Sequence, residues 1–168
     1  MEPLLPEEGN RDLDDLVVDL VAKANAFAAQ LNPVLRHSVG ELVRSMNCYY
    51  SNLIEGHDTH PVDFDRALAG DYSTEPKKRN LQLEARAHIE VQAMIDRGEM
   101  PVPVISVDSI LWLHSEFCQR MPDDLLWAEN PETGERLRVN PGELRTRNVR
   151  VGRHIAPEPE ALPGLLQR

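Results

Sequence analysis

Cysteine is nearly absent from this 168-residue chain: Cys48 and Cys118 are the only two, and each falls in an apolar-periodic segment. In that setting a cytosolic pair is more often two buried thiols than a disulfide, and the two define no metal-ligand pattern. Basic residues are also in short supply, 18 against 28 acidic ones, for a net charge of −10. Phosphate backbones are held largely by lysine and arginine, so this balance argues against a nucleic-acid partner and against a helical DNA-binding regulator. No apolar run reaches membrane-spanning length. The first residues, MEPLLPEEGNRDLDD, are acidic where a signal peptide would be basic and then apolar. The expectation is a cytoplasmic chain with no membrane partner. Repeats and low-complexity tracts are likewise missing.

What is present is helical periodicity. Leu13, Leu16, Val17, Leu20, Val21, Ala24, Phe27, Ala28 and Leu31 recur at helical spacing, with Asp12 as the expected N-cap and Asn32-Pro33 as the stop. A second helix is predicted over 34–54, breaking at Glu55-Gly56-His57-Asp58. Thr59 is expected to cap a short third helix carrying Pro61 in its first turn and closing at Gly70. After a polar loop over 71–78, a fourth helix is predicted over 80–97. Ser106 then caps a fifth, with a buried stripe of Val107, Ile110, Leu111, His114, Phe117, Cys118 and Met121. The Pro101 and Pro103 pair separates the two. Beyond a turn cluster at 130–134, residues 136–152 (RLRVNPGELRTRNVRVG) alternate aliphatic and basic side chains around Pro141-Gly142 and read as one irregular β-hairpin. A last helix is predicted over 160–168 and breaks off in mid-pattern, so the expected architecture is mainly α, with a small hairpin, and incomplete at its C-terminus.

The segment Ser51-Asn52-Leu53-Ile54-Glu55-Gly56 carries the most information. Ser51 and Glu55 are four apart, so they project from one helix face and are placed to hydrogen-bond, while Leu53 and Ile54 are expected to turn inward. A carboxylate at a helix C-terminus meets the negative end of the macrodipole and calls for a positive partner. Spacing alone also allows Glu55 to be a solvated carboxylate ahead of a Gly56 cap.

Taken with its aromatic lead-in, Cys48-Tyr49-Tyr50-Ser51-Asn52-Leu53-Ile54-Glu55-Gly56 resembles the inhibitory motif of Fic proteins whose inhibitory helix precedes the catalytic core. About ninety residues on, Pro141-Gly142-Glu143-Leu144-Arg145-Thr146-Arg147-Asn148-Val149-Arg150-Val151-Gly152-Arg153-His154-Ile155-Ala156-Pro157 resembles that family's flap, and the two come in family order. Residues 84–88 and 110–114 fit the helices the family places between them. The resemblance implies a Fic-like helical bundle, with 1–78 as the N-terminal helical region bearing the inhibitory helix and 79–168 as the front of the catalytic domain including the flap.

It also implies an activity for the complete protein: transfer of AMP from ATP, with Mg²⁺, to a hydroxyl of a target protein. The family's catalytic loop, H-P-F-x-D/E-G-N-G-R-x-x-R, does not occur here; His60-Pro61 is followed by Val62-Asp63-Phe64. Hence no catalytic base and no metal ligand is assigned, and this chain alone is expected to be inactive and to bind neither ATP nor Mg²⁺. By the resemblance, Glu55 is the inhibitory glutamate, steadied by Ser51 and followed by Gly56, and it pairs with an arginine of the absent loop. His57 stands where the family usually has asparagine. Val151, Gly152, Arg153 and His154 correspond to the stretch that touches nucleotide, and Arg145, Thr146 and Val149 to the flap that docks the target by strand addition.

Plainer readings stay open beside these: an exposed loop histidine for His154, strand-surface charge for Arg145 and Arg150. His88 and His114 read as core or boundary residues, Trp112 and Trp127 as packing residues. An exposed apolar surface, and with it a homo-oligomer, is expected where core helices are missing. The competing class is a non-catalytic helical interaction module.

Overall fold

The computed structural model describes residues 8–57, 59–130 and 133–167. It is mainly helical, with two small antiparallel strand pairs. The chain divides into two compact units, Met1–Val43 and Arg44–Arg168, and the division falls inside the second helix. The boundary expected at 78/79 lies inside the fourth helix, Pro76–Asp96.

The first unit holds α1 (Arg11–Gln30) and the beginning of α2 (Pro33–Ile54). Asn10, not the expected Asp12, caps α1: its Oδ1 accepts the Leu13 N–H at 3.3 Å, leaving Asp12 and Asp14 in the first turn beside the positive end of the dipole. The Asn32-Pro33 stop is also a start. Asn32 Oδ1 accepts the Val34 N–H at 2.9 Å, and Pro33 at the first helical position has no N–H to orphan.

The second unit is built on the rest of α2 with α3 (Pro61–Leu68), α4 (Pro76–Asp96) and α5 (Val107–Gln119). Its core joins Cys48 of α2, Phe64 of α3, and Ala85 and Ile89 of α4, with Tyr49 against them. Small residues on α4 let the neighbouring backbones come close, and Phe64, fully buried, fills the space between.

Several local expectations shift. The fourth helix starts one turn before its expected beginning at 80, because Pro76 suits a first helical turn. Thr59 caps nothing. It is buried and takes a 3.4 Å bond from Asn52 Nδ2, while His60 holds the N-cap position of α3, its side chain making no capping bond to the helix. Gln82 is buried and stitches the 71–75 loop down: its Oε1 accepts the Ser73 N–H at 2.7 Å, and its Nε2 donates to the carbonyls of Asp63 and Asp71 at 3.4 and 3.5 Å. Asp63, also buried, is neutralised by Lys78 at 3.0 Å. Ser106 does cap α5, accepting the Ser109 N–H at 3.0 Å. The stripe expected along α5 is only part-buried: the helix buries Ser109, which lies off the stripe, and Cys118, while Ile110 is exposed.

The single hairpin expected over 136–152 is two separate pairs. β1 (Trp127–Glu129) runs antiparallel to β2 (Arg136–Arg138) in the register Trp127–Arg138, Ala128–Leu137, Glu129–Arg136. β3 (Arg150–Val151) pairs with β4 (His154–Ile155) across a turn at Gly152, whose φ is +60°. Arg136 therefore pairs backwards in the chain, with its guanidinium 5.3 Å from the ring centroid of Trp127. Pro141 has no N–H to give a ladder, and the Gly142 N–H is taken by α5. Of the last predicted helix, a 3₁₀ turn over Pro159–Ala161 and the short α6 (Leu162–Leu166) are formed; Arg168 lies outside the described residues.

Candidate functional site

Helix α2 ends in a two-bond reversal. The Gly56 N–H donates to the Leu53 carbonyl at 3.1 Å and the His57 N–H to the Asn52 carbonyl at 2.8 Å, with Gly56 at φ +77°. Both bonds satisfy terminal carbonyls, and the left-handed residue is one that only glycine adopts without strain. Cys48 and Asn52, one turn apart, are the buried residues of α2, so the opposite flank faces water. That corrects the inward turn expected of Leu53 and Ile54, which are 54% and 84% exposed.

Ser51 and Glu55 share the exposed flank. The expected side-chain bond between them is not made; the Glu55 backbone N–H donates to the Ser51 carbonyl at 3.1 Å, as in any helix. On an exposed face water competes for both groups, so the pair gains little by closing. The Glu55 carboxylate has no hydrogen-bond or ion-pair partner among the described residues.

Under this turn sits a small titratable group. His57 Nδ1 lies 4.0 Å from Glu84 Oε1 on α4, and that nitrogen is buried without a hydrogen bond. Burial pushes the Glu84 carboxyl above the usual carboxylate range; His57 pulls it back and Glu55 raises it further. Burial, with Glu84 beside it, pushes the Cys48 thiol up to about 12. The Cys118 thiol is raised by burial as well, and burial lowers His88.

The flap residues are held from below. The Gly142 N–H donates to His114 Nδ1 at 3.1 Å, which fixes the Pro141-Gly142 turn on α5 and gives His114 a part that its position on the helix did not reveal. A Cβ at 142 would lie 3.1 Å from Ser115 Cβ and 3.3 Å from the Leu111 carbonyl, and φ is +75°, so glycine is required twice over. Arg145 spans the base of the β3–β4 segment, donating to the carbonyls of Arg147 at 2.8 Å and of Pro157. The guanidinium thus serves the fold while its positive charge has no carboxylate partner among the described residues.

Arg145, Thr146 and Val149 all line one groove of ≈ 720 Å³, together with Ile110 and His114 of α5, Leu137 of β2 and Leu162 of α6. Arg153 and His154 are exposed on the β3–β4 turn, as is Gly152; the Val151 side chain lies outside the described residues. No hydrogen bond or ion pair among the described residues joins Glu55 to the 145–154 segment.

Among the described residues there is no cluster of three or more His, Cys, Asp or Glu that could hold a metal ion. No helix among them is long and apolar enough to cross a membrane. No protein-family model, curated protein or solved structure matches the chain.

Proposed function

We propose that this chain is the regulatory front of a Fic-type protein adenylyltransferase, with α2 as its inhibitory helix and the segment from Pro141 to Pro157 as its flap. The observation that carries the reading is the Glu55 carboxylate, solvent-facing and unpartnered among the described residues, at the tip of a helix whose end is fixed by two backbone bonds. A carboxylate at the negative end of a helix dipole is in poor surroundings until a cation arrives. In this reading the cation is an arginine of a catalytic loop that the 168 residues do not contain.

The inhibition follows from electrostatics. A carboxylate and a phosphate oxygen roughly 4 Å apart repel by about 1 kcal/mol in water and by about 4 kcal/mol at the effective dielectric of a protein surface. With the arginine also held by Glu55, nucleotide loses both a binding charge and its productive geometry. The flap residues Arg145, Thr146 and Val149 line the groove beside which an extended target segment would lie, and in this reading the exposed Arg153 supplies positive charge, and His154 an imidazole, towards the nucleotide. Metal binding belongs, in this reading, to the catalytic segment.

The test is to fuse the chain to a Fic segment bearing the H-P-F-x-D/E-G-N-G-R loop and follow transfer of labelled AMP. Transfer is expected, rising at least tenfold in Glu55→Gly; equal rates in the two proteins refute the inhibitory role. The unfused chain is expected to show no calorimetric binding of an ATP analogue, and sub-millimolar affinity would sink the assignment. The apolar groove also favours a second reading, a non-catalytic interaction module, which the fusion distinguishes by transferring nothing.

A further inference from the structure

The 20-residue helix α1 buries none of its residues, and helices of this length in water owe most of their stability to packing of an apolar face. Its apolar residues follow a heptad. Leu13, Leu20 and Phe27 are seven apart, and Val17, Ala24 and Leu31 repeat at the same interval four positions later, a seam of alternating three- and four-residue steps. Leu13, Val17, Leu20 and Phe27 are between 42% and 68% exposed. The seam is therefore built and uncovered.

We propose that α1 is a homodimerisation helix that pairs antiparallel with α1 of a second copy of this chain, about a two-fold axis near Ala22. A two-fold interface must be complementary to itself, and this seam sets large side chains against small ones near its centre only when reversed. Reversal sets Leu13 against Leu31 of the partner subunit, Val17 against Phe27 of the partner subunit, and Leu20 against Ala24 of the partner subunit, so bulky side chains meet smaller ones at the crossing. A parallel pairing would set Phe27 on Phe27 of the partner subunit and leave a gap at the two alanines.

Charge selects the same orientation. Residues 11–19 carry Arg11, Asp12, Asp14, Asp15 and Asp19, a net −3, whereas residues 20–30 carry only Lys23. Parallel helices would bring −3 onto −3; antiparallel ones bring −3 onto +1 and oppose the two macrodipoles. With Leu16 and Val21 at its flanks, the helix exposes on the order of 700 Å² of apolar surface, close to the ~800 Å² that each partner gives to a standard interface.

The experiment is sedimentation velocity on the full chain from about 1 to 200 μM, the range in which a micromolar dimer dissociates. A reversible dimer is expected. Leu20→Asp should be monomeric throughout, weakening association by at least 100-fold, while amide protection around the core of Cys48, Phe64, Ala85 and Ile89, which Leu20 does not join, stays unchanged. Spin labels on Ala22→Cys and, separately, Arg11→Cys then fix the orientation: the axial separation should be near zero at 22 and about 33 Å at 11, at 1.5 Å per residue. A monomer at every concentration leaves the stripe to some other protein and overturns the proposal. So does a dimer that survives Leu20→Asp, or equal label separations at the two positions.

Discussion

Replacing Gly142 by alanine isolates what holds the flap to the helical body. Three effects act at that position. A residue with a Cβ at φ +75° loses about 1 kcal/mol relative to glycine. The new methyl would stand 3.1 Å from Ser115 Cβ and 3.3 Å from the Leu111 carbonyl, both carried by α5 and unable to swing away, so the turn itself must retreat by a few tenths of an ångström. That retreat stretches the 3.1 Å bond to His114 Nδ1, worth about 1 kcal/mol. Together these reach about 2–3 kcal/mol, or roughly 30- to 150-fold in the opening equilibrium of the turn. Hydrogen exchange of the segment 139–145 should accelerate by that factor, while α4, which makes no contact with the turn's hydrogen bonds, keeps its protection. Exchange at 139–145 equal to that of the parent chain, or a loss of protection spread evenly over α4, would refute the account of this anchor.

Phe64→Ala should lower the unfolding free energy by about 3–5 kcal/mol in urea titration, since the ring is fully buried among Cys48, Ala85 and Ile89; less than 1 kcal/mol would mean that the core lies elsewhere. Glu84 has its folded-state pKa raised, mainly by burial, so the carboxyl binds its proton more tightly folded than unfolded; its contribution is full below the ordinary value of 4.5 and is lost as pH rises through the folded value. Glu84→Gln should therefore raise the urea midpoint at pH 7 and match the parent near pH 4, and equal midpoints at pH 7 would contradict this. Cys48, with its thiol near 12, should resist a thiol-labelling reagent at pH 7.5 until the chain is unfolded, Cys118 reacting slowly for the same reason of burial. Arg145→Ala should loosen the β3–β4 hairpin, read as faster exchange over 147–157, with Arg145→Lys restoring little because one ammonium cannot span both carbonyls.

Helix existence and most helix ends were legible in the amino-acid order because they are local. Apolar spacing, Asn32-Pro33, Ser106, and the glycines at 56, 70 and 98 act within one turn of the chain, and the residues that cap or stop a helix need no distant partner. Tertiary structure decided whatever depended on residues far apart. Asn52 rather than Leu53 or Ile54 faces inward because the face of α2 is chosen by packing on α4, where Cys48 meets Ala85. Arg136 pairs with Glu129 in β1 instead of folding forward, because the candidate turn at Pro141-Gly142 is claimed by His114, 28 positions away. The unpartnered state of Glu55 likewise rests on what the fold brings near it, and strand pairing and side-chain direction are settled by such non-local contacts, which a one-dimensional pattern does not encode.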